Sequence, residues 1–339
     1  MASRVVAGST LLLVGALIAC ETPKPAPTDQ QSAKVVAVRE ATGAAAVRTA
    51  PDAGATPELA AAPEQPRARP CPAAPERMAC VSGGAFQRGI DDDPHRCDQV
   101  GQPADRRSSS TPAMTVWVDT FYMDLTEVTV AAYRACVDAG KCPDQGPKYA
   151  DFRGPKQPIT GVDWFAARDY CSFAQKRLPT EAQWELAARG YEGDHNPWGN
   201  EPPDCDRAVI KSDAGRSCGE KKRRGKAPET GRVLEVGSRP PGRFGLVDMS
   251  GNVEEWVADW WTPSWEGCAE SCEGENPRGP CNGEDVCDSH EFRVVRGGSW
   301  YWPAEHATGY HRRRHQPQNA PVFHHFGFRC ARDLGPDTP

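Results

Sequence analysis

Apolar positions recur with a helical period in only one stretch of this chain, between residues 129 and 190. Thr129 reads as the N-cap of a helix running to about Asp138, with Tyr133, Cys136 and Val137 on one face and Gly140 closing it. A second helix starts near Asp163 and carries Trp164, Ala167, Tyr170, Cys171 and Ala174 at helical spacing. A third opens on Thr180-Glu181-Ala182-Gln183, a capping box whose two side chains satisfy orphan backbone N–H groups, and buries Trp184 with Ala187 or Ala188. Ahead of the helices, Val81–Gly89 reads as a strand with glycine punctuation, and Val116–Asp124 alternates as a second strand. After Gly190 the helical period is lost. From there to Arg332 the pattern predicts turns and short strands, with brief apolar runs such as Phe292-Arg293-Val294-Val295 and no internal repeat.

The first seventy residues follow different rules. In residues 1–20 one Arg precedes an apolar run from Leu11 to Ala19, too short for a stable membrane span. It ends Leu17-Ile18-Ala19-Cys20, which resembles the lipobox of bacterial lipoproteins. That resemblance implies cleavage before Cys20 and acylation of its thiol and new amine, several acyl chains anchoring the protein stably where one binds only reversibly. The expected location is the bacterial cell envelope, lipid-anchored and extracytoplasmic, on either the inner or the outer membrane. Residues 21–70 are Ala, Pro, Thr and Glu with almost no aromatics. They bury too little apolar area to offset their ordering entropy, so a disordered tether is expected. The globular part runs from Cys71 to about residue 335.

Composition narrows the class. Of 339 residues, 32 are Gly, 32 Pro, 14 Cys and 10 Trp, which suits one loop-rich domain with short elements. A mean hydropathy of −0.63 excludes a multi-pass membrane protein. A formal charge of −6 gives no global reason to bind nucleic acid. The Lys221-Lys222-Arg223-Arg224 run lacks interleaved aromatics and reads as a solvated loop. Asp91-Asp92-Asp93 reads as a turn. So many cysteines without paired CxxC knuckles point to an oxidising compartment.

Ordered landmarks then carry a resemblance. Arg177-Leu178-Pro179-Thr180-Glu181-Ala182-Gln183-Trp184-Glu185 is followed by Asn196-Pro197-Trp198-Gly199-Asn200 and by Gly245–Trp256, reading GLVDMSGNVEEW. Next come Arg296-Gly297-Gly298-Ser299-Trp300 and Gly327-Phe328-Arg329-Cys330-Ala331, with Asp124–Thr129 upstream. Together they resemble the formylglycine-generating enzyme, or sulfatase-modifying factor, family. The resemblance implies an α+β fold related to that of C-type lectins: loop-rich, with few helices on a small twisted mixed sheet.

The family's oxidases turn a sulfatase cysteine into formylglycine, holding copper(I) on a close pair of cysteines just after the Gly-Gly-Ser-aromatic motif. Soft thiolates suit copper(I). Here Trp302 stands where the first cysteine would fall, and no cysteine occurs between Cys287 and Cys330, so no copper is expected. The same window holds Trp300, Tyr301, Trp302, Tyr310 and Arg312, expected to line a ligand-binding cleft, aromatics beside guanidinium groups being typical of binding surfaces. One of the arginines 312–314 is expected to be a buried structural partner instead. Five of the eight histidines also lie here, and His306 with His311 would anchor a rival non-haem metal site.

Carried over from the family, a calcium loop would use Asp248, the Gly251 and Val253 carbonyls, and Glu255, an oxygen set suited to a hard cation. The ordinary alternative is that the two acids satisfy turn amides and nearby arginines. The resemblance also implies a Cys171–Cys330 disulfide. Short-range pairing is expected for Cys71 with Cys80, Cys136 with Cys142, and Cys205 with Cys218. Cys268, Cys272, Cys281 and Cys287 make two more in one of three pairings, or else a zinc site, leaving Cys97 odd. The function expected is a lipid-anchored envelope protein whose domain binds an unknown envelope ligand or protein without catalysis. The alternative is a divergent metal-dependent oxidoreductase using the His306–His325 cluster.

Overall fold

In the computed structural model, which describes residues 68–93, 109–221 and 231–335, both expected strands break in the middle and against each other. Val81–Gly89 resolves into β1 (Met78–Val81) and β2 (Gly84–Arg88), and Val116–Asp124 into β3 (Met114–Val118) and β4 (Phe121–Asp124). β1 pairs antiparallel with β4, and β2 with β3. Gly83 explains the break. A Cβ there would lie 2.3 Å from the Val118 carbonyl oxygen and 2.5 Å from the Thr120 nitrogen, a closeness only glycine permits. The leader with Cys20, the tether up to residue 67, Cys97 and residues 222–224 of the basic run lie outside the described residues.

The helices form where their caps predict. In α1 (Val130–Asp138) Thr129 Oγ1 accepts the Ala132 N–H at 3.2 Å. In α2 (Trp164–Phe173) Asp163 Oδ1 accepts the Ala166 N–H at 2.7 Å, and Ala174 is the C-cap, not a helical residue. In α3 (Glu181–Arg189) Thr180 and Gln183 exchange both capping-box bonds at 3.1 Å, and Gly190 ends the helix at φ +70°. The rest is short strands and 3₁₀ turns: β5 (Glu254–Trp260), β6 (Arg293–Arg296), β7 (Arg312–His315), β8 (Phe326–Gly327) and β9 (Ala331–Asp333).

Three small sheets result: β1-β4-β9, β2-β3, and β7-β6-β5-β8, the last mixed because β8 runs parallel to β5. The α+β architecture stands as expected, with the sheet divided. Trp184 of α3 is fully buried with Phe86, Val118, Val257 and Val294. A second core joins Tyr133 and Trp164 to Trp256 and Phe326. A ring burying 150–250 Å² contributes roughly 4–6 kcal/mol of transfer free energy before entropy is counted.

Six disulfides join all twelve described cysteines. Cys71–Cys80, Cys136–Cys142 and Cys205–Cys218 are short-range. Cys171–Cys330 ties α2 to the chain just before β9 across 159 residues. The remaining four pair with their sequence neighbours, Cys268–Cys272 and Cys281–Cys287, which leaves no thiolate for the rival zinc site.

Candidate functional site

The turn after β6 shapes the window. Gly297 and Gly298 adopt φ +91° and +65°, and a Cβ on Gly298 would lie 2.5 Å from the His306 carbonyl oxygen. The two glycines thus let residues 299–302 cross close over the 3₁₀ turn Ala304–Ala307. Trp300 is buried, its indole N–H donating to the His324 carbonyl at 3.2 Å and its ring edge-on to Phe152 at 5.3 Å. It supports the site without facing solvent. Tyr301 and Trp302 are half-buried. Arg216 lies 3.7 Å over the Tyr301 ring and Arg313 4.6 Å over the Trp302 ring. His325 stacks on Tyr301 at 5.4 Å, and His306 on Trp302 at 5.1 Å.

Beneath this shelf, β5 turns successive glutamates to opposite faces, as a strand must. Glu254 accepts two bonds from Arg313 Nη1, at 2.7 and 2.9 Å, and lies 3.5 Å from His325 Nε2. Burial raises its carboxyl above the ordinary range despite Arg313. Glu255 faces the other way. Arg329 grips it through Nε and Nη2 at 2.7–3.0 Å, and the Trp184 indole N–H donates to it at 2.8 Å.

Two expected ligand-binding residues are corrected. Tyr310 and Arg312 are each 1% exposed. Arg312 donates to both Glu181 oxygens, at 2.6 and 2.9 Å, inside a network with Arg88, Arg296, Arg189 and Glu185. Burial alone would raise the Glu181 carboxyl, but Arg312, Arg296 and Arg88 outweigh it and hold the group below its usual value. Arg88 and Arg312 also clasp Trp265 at 3.7 and 3.6 Å. Such a guanidinium, held on carboxylates and an indole, has no exposed fork for a ligand.

The histidines diverge. His306 Nδ1 and His311 Nε2 lie 3.2 Å apart, both buried. His324 Nε2 accepts the Lys148 N–H at 3.0 Å, and His315 packs on Phe326 at 4.4 Å. Burial lowers His315 and His324 to about 4, and lowers His325 well below 6.5, so these three rings are neutral at pH 7. Among the described residues no group of three or more His, Cys, Asp or Glu side chains is arranged to hold a metal.

The carboxylates expected to hold calcium fare unequally. With both Glu255 oxygens engaged by Arg329 and Trp184, that side chain does not fit the role. Asp248, at φ +57°, receives the Gly237 N–H on Oδ2 at 2.6 Å. Its Oδ1 and Glu127 Oε2 are each buried without a donor, and the two side chains are within hydrogen-bonding reach of each other. Burial, then the Asp248 charge, raises Glu127 strongly, and burial raises Asp248. One shared proton satisfies such a pair, and so does a hard cation.

Arg216 and Glu254 were not singled out from the sequence as site residues, and Arg313 entered only as one of the arginines 312–314. The signal was the strand period at Glu254-Glu255, which requires one acid, and hence one buried cation, on each face.

The site can be set beside known proteins. Residues 63–334 match the sulfatase-modifying factor enzyme 1-like domain model. The formylglycine-generating enzyme of Bos taurus is 31% identical over 326 residues, covering 80% of this chain and 78% of that protein. The inactive C-alpha-formylglycine-generating enzyme 2 of Bos taurus is 32% identical over 186 residues, covering 52% and 51%. The solved structure of PvdO from Pseudomonas aeruginosa superposes with a TM-score of 0.56 at 26% identity, over 76% of this chain and 94% of that one. With its motifs in order and its fold shared, this chain belongs to the sulfatase-modifying factor enzyme 1-like family.

Proposed function

We propose that this protein is a lipid-anchored binding module of the bacterial cell envelope, held on acylated Cys20 by the tether 21–70, whose domain recognises an envelope ligand or protein without catalysis. One observation carries the reading. The segment after Gly297-Gly298-Ser299 presents Tyr301 and Trp302 beneath the guanidinium groups of Arg216 and Arg313, and residues 288–329 contain no thiol. A family that includes both a formylglycine-generating enzyme and an inactive homologue leaves activity to be argued from the site. Half-buried aromatics interleaved with arginine make the composition of binding hot spots. Glu254 fixes Arg313, so the shelf is ordered before a ligand arrives, which lowers the entropy lost on binding. Calcium belongs to the same reading as a stabilising ion. Asp248 and Glu127 would hold it, with the Gly251 and Val253 carbonyls, and it would supply rigidity to the loop after residue 248.

A second reading rests on the His306–His311 pair, whose nitrogens could share one metal ion, giving a metal-dependent oxidoreductase. Metal analysis of the purified chain separates the two. The binding reading expects no stoichiometric iron or copper, an unmodified thiol in a cysteine-containing sulfatase peptide, and loss of envelope-ligand capture in Trp302→Ala. Stoichiometric iron or copper that disappears in His306→Ala and His311→Ala, together with peptide oxidation, would sink it. Cys20→Ser should release the protein from the membrane fraction; retention refutes the anchor.

A further inference from the structure

Beside the Lys148 backbone, whose N–H donates to His324, lies a cavity of about 500 Å³, within the range of small-molecule sites. It opens between the loop after α1, the turn before α2 and the loop after β7, and three cations and two acids line it: Arg134, Lys148, Arg153, Asp144 and Asp163. Both acids are engaged elsewhere. Asp144 pairs with Arg134. Asp163 caps α2 through Oδ1 and accepts the Gln145 amide on Oδ2 at 2.8 Å. Lys148 and Arg153 therefore bring charge to the pocket with no carboxylate against them among the described residues. The Arg153 fork is fixed, Nε donating to the Pro147 carbonyl at 3.0 Å and Nη2 to that of Lys148 at 3.4 Å.

The remaining wall is mostly amide and backbone. Gln318 lines it beside Gly146 and Gly161, with Val322 as an apolar edge, while Asn319 is spent on the Val162 and Phe323 backbone. An amide and backbone carbonyls around a fixed guanidinium recognise hydroxyls around an oxyanion, and they offer little to a greasy acid. We propose that this pocket binds an acidic saccharide, a hydroxyl-rich ring bearing a carboxylate, with the carboxylate held by Arg153 and Lys148. The assignment goes beyond the aromatic shelf and does not depend on it.

Glucuronate is the probe, titrated into the purified full chain by ligand-observed NMR at low salt, with glucose and inorganic sulfate alongside. Glucuronate binds and glucose does not, and the Lys148→Gln/Arg153→Gln double variant weakens glucuronate by at least about tenfold at unchanged Tm, since charge-assisted bonds are the strong ones. Both residues are exposed, so the variant folds. Trp302→Ala leaves glucuronate binding intact, so failure of the shelf and failure of this pocket are told apart. Equal binding of glucose, sulfate as tight as glucuronate, no binding of glucuronate, or indifference to the double variant each overturns the proposal.

Discussion

Glu181→Gln tests whether the buried charges behind the site are organised around one carboxylate. Glu181 opens α3 and is 1% exposed. It accepts from Arg88 and Arg296 at 3.2 Å each and twice from Arg312, at 2.6 and 2.9 Å. Glutamine keeps the volume and one oxygen, but the other becomes an NH₂ aimed at guanidinium donors. About half of the four bonds are lost, at roughly 1.5–3 kcal/mol for each bond to a charged group. Removing a negative charge from the helix N-terminus adds about 0.5 kcal/mol. The arginines cannot shed their protons to escape. A loss of about 3.5–6.5 kcal/mol follows, overlapping the range of about 3–5 kcal/mol for breaking one side of a buried ion pair. Urea unfolding of the oxidised protein, read by tryptophan emission, measures it, and Trp265 between Arg88 and Arg312 reports from inside the network. The midpoint should fall at constant slope. A loss below about 1 kcal/mol refutes the argument. The double change Glu181→Gln/Arg312→Gln should lose less than the sum of the singles, because it also removes a stranded charge.

Replacing both Cys171 and Cys330 with Ser opens a loop of 159 residues, and the chain-entropy model assigns about 5 kcal/mol to that closure; a change under about 1 kcal/mol in thermal unfolding contradicts it. Gly298→Ala forces a Cβ to 2.5 Å from the His306 carbonyl at φ +65°, so Tm should drop by an amount equivalent to about 1–3 kcal/mol, and an unchanged Tm argues against the close crossing. Burial and the Lys148 charge hold His324 near about 4, below its ordinary 6.5. The unfolded chain therefore takes up the proton first, and this stability is complete above about pH 6.5 and drains as pH falls toward about 4. At about 1.4 kcal/mol per pH unit the ceiling is roughly 3 kcal/mol. His324→Gln, which keeps an acceptor for the Lys148 N–H, should flatten the fall in Tm on acidification; an identical slope counts against it.

The helices were legible because each is announced locally. Thr129, Asp163 and the Thr180/Gln183 box state where a backbone needs a partner, and nothing distant can overrule them. Strand pairing was not legible. Val81–Gly89, even with its glycine punctuation, and Val116–Asp124 each read as one strand, yet each feeds two sheets, because Gly83 must pass against Val118 and Thr120, a contact between distant segments. The site fared similarly. Tyr301 and Trp302 are half-buried. Arg312-Arg313-Arg314 was expected to hold a buried structural arginine, and only the strand period and the carboxylates of α3 show that Arg312 is the one in the core. The calcium carboxylates divide for a related reason: Glu255 sits on the face of β5 that meets Arg329, a fact carried by a register and not by a motif.

The three-stranded sheet sets a timetable for folding. β4 is its centre, and one neighbour, β9, is the last strand of the domain. Until residues 125–330 have been made, the flank of Phe121, Tyr122 and Met123 has no strand to cover it, and an unpaired apolar edge is a template for aggregation. Pairing across such a span is intrinsically slow. The Cys171–Cys330 bridge forms in the same final step, since Cys330 directly precedes β9. This domain is therefore completed from its end: the last residues to arrive both cover the open edge and lock it, and a chain that stops short of them keeps its most vulnerable strand exposed.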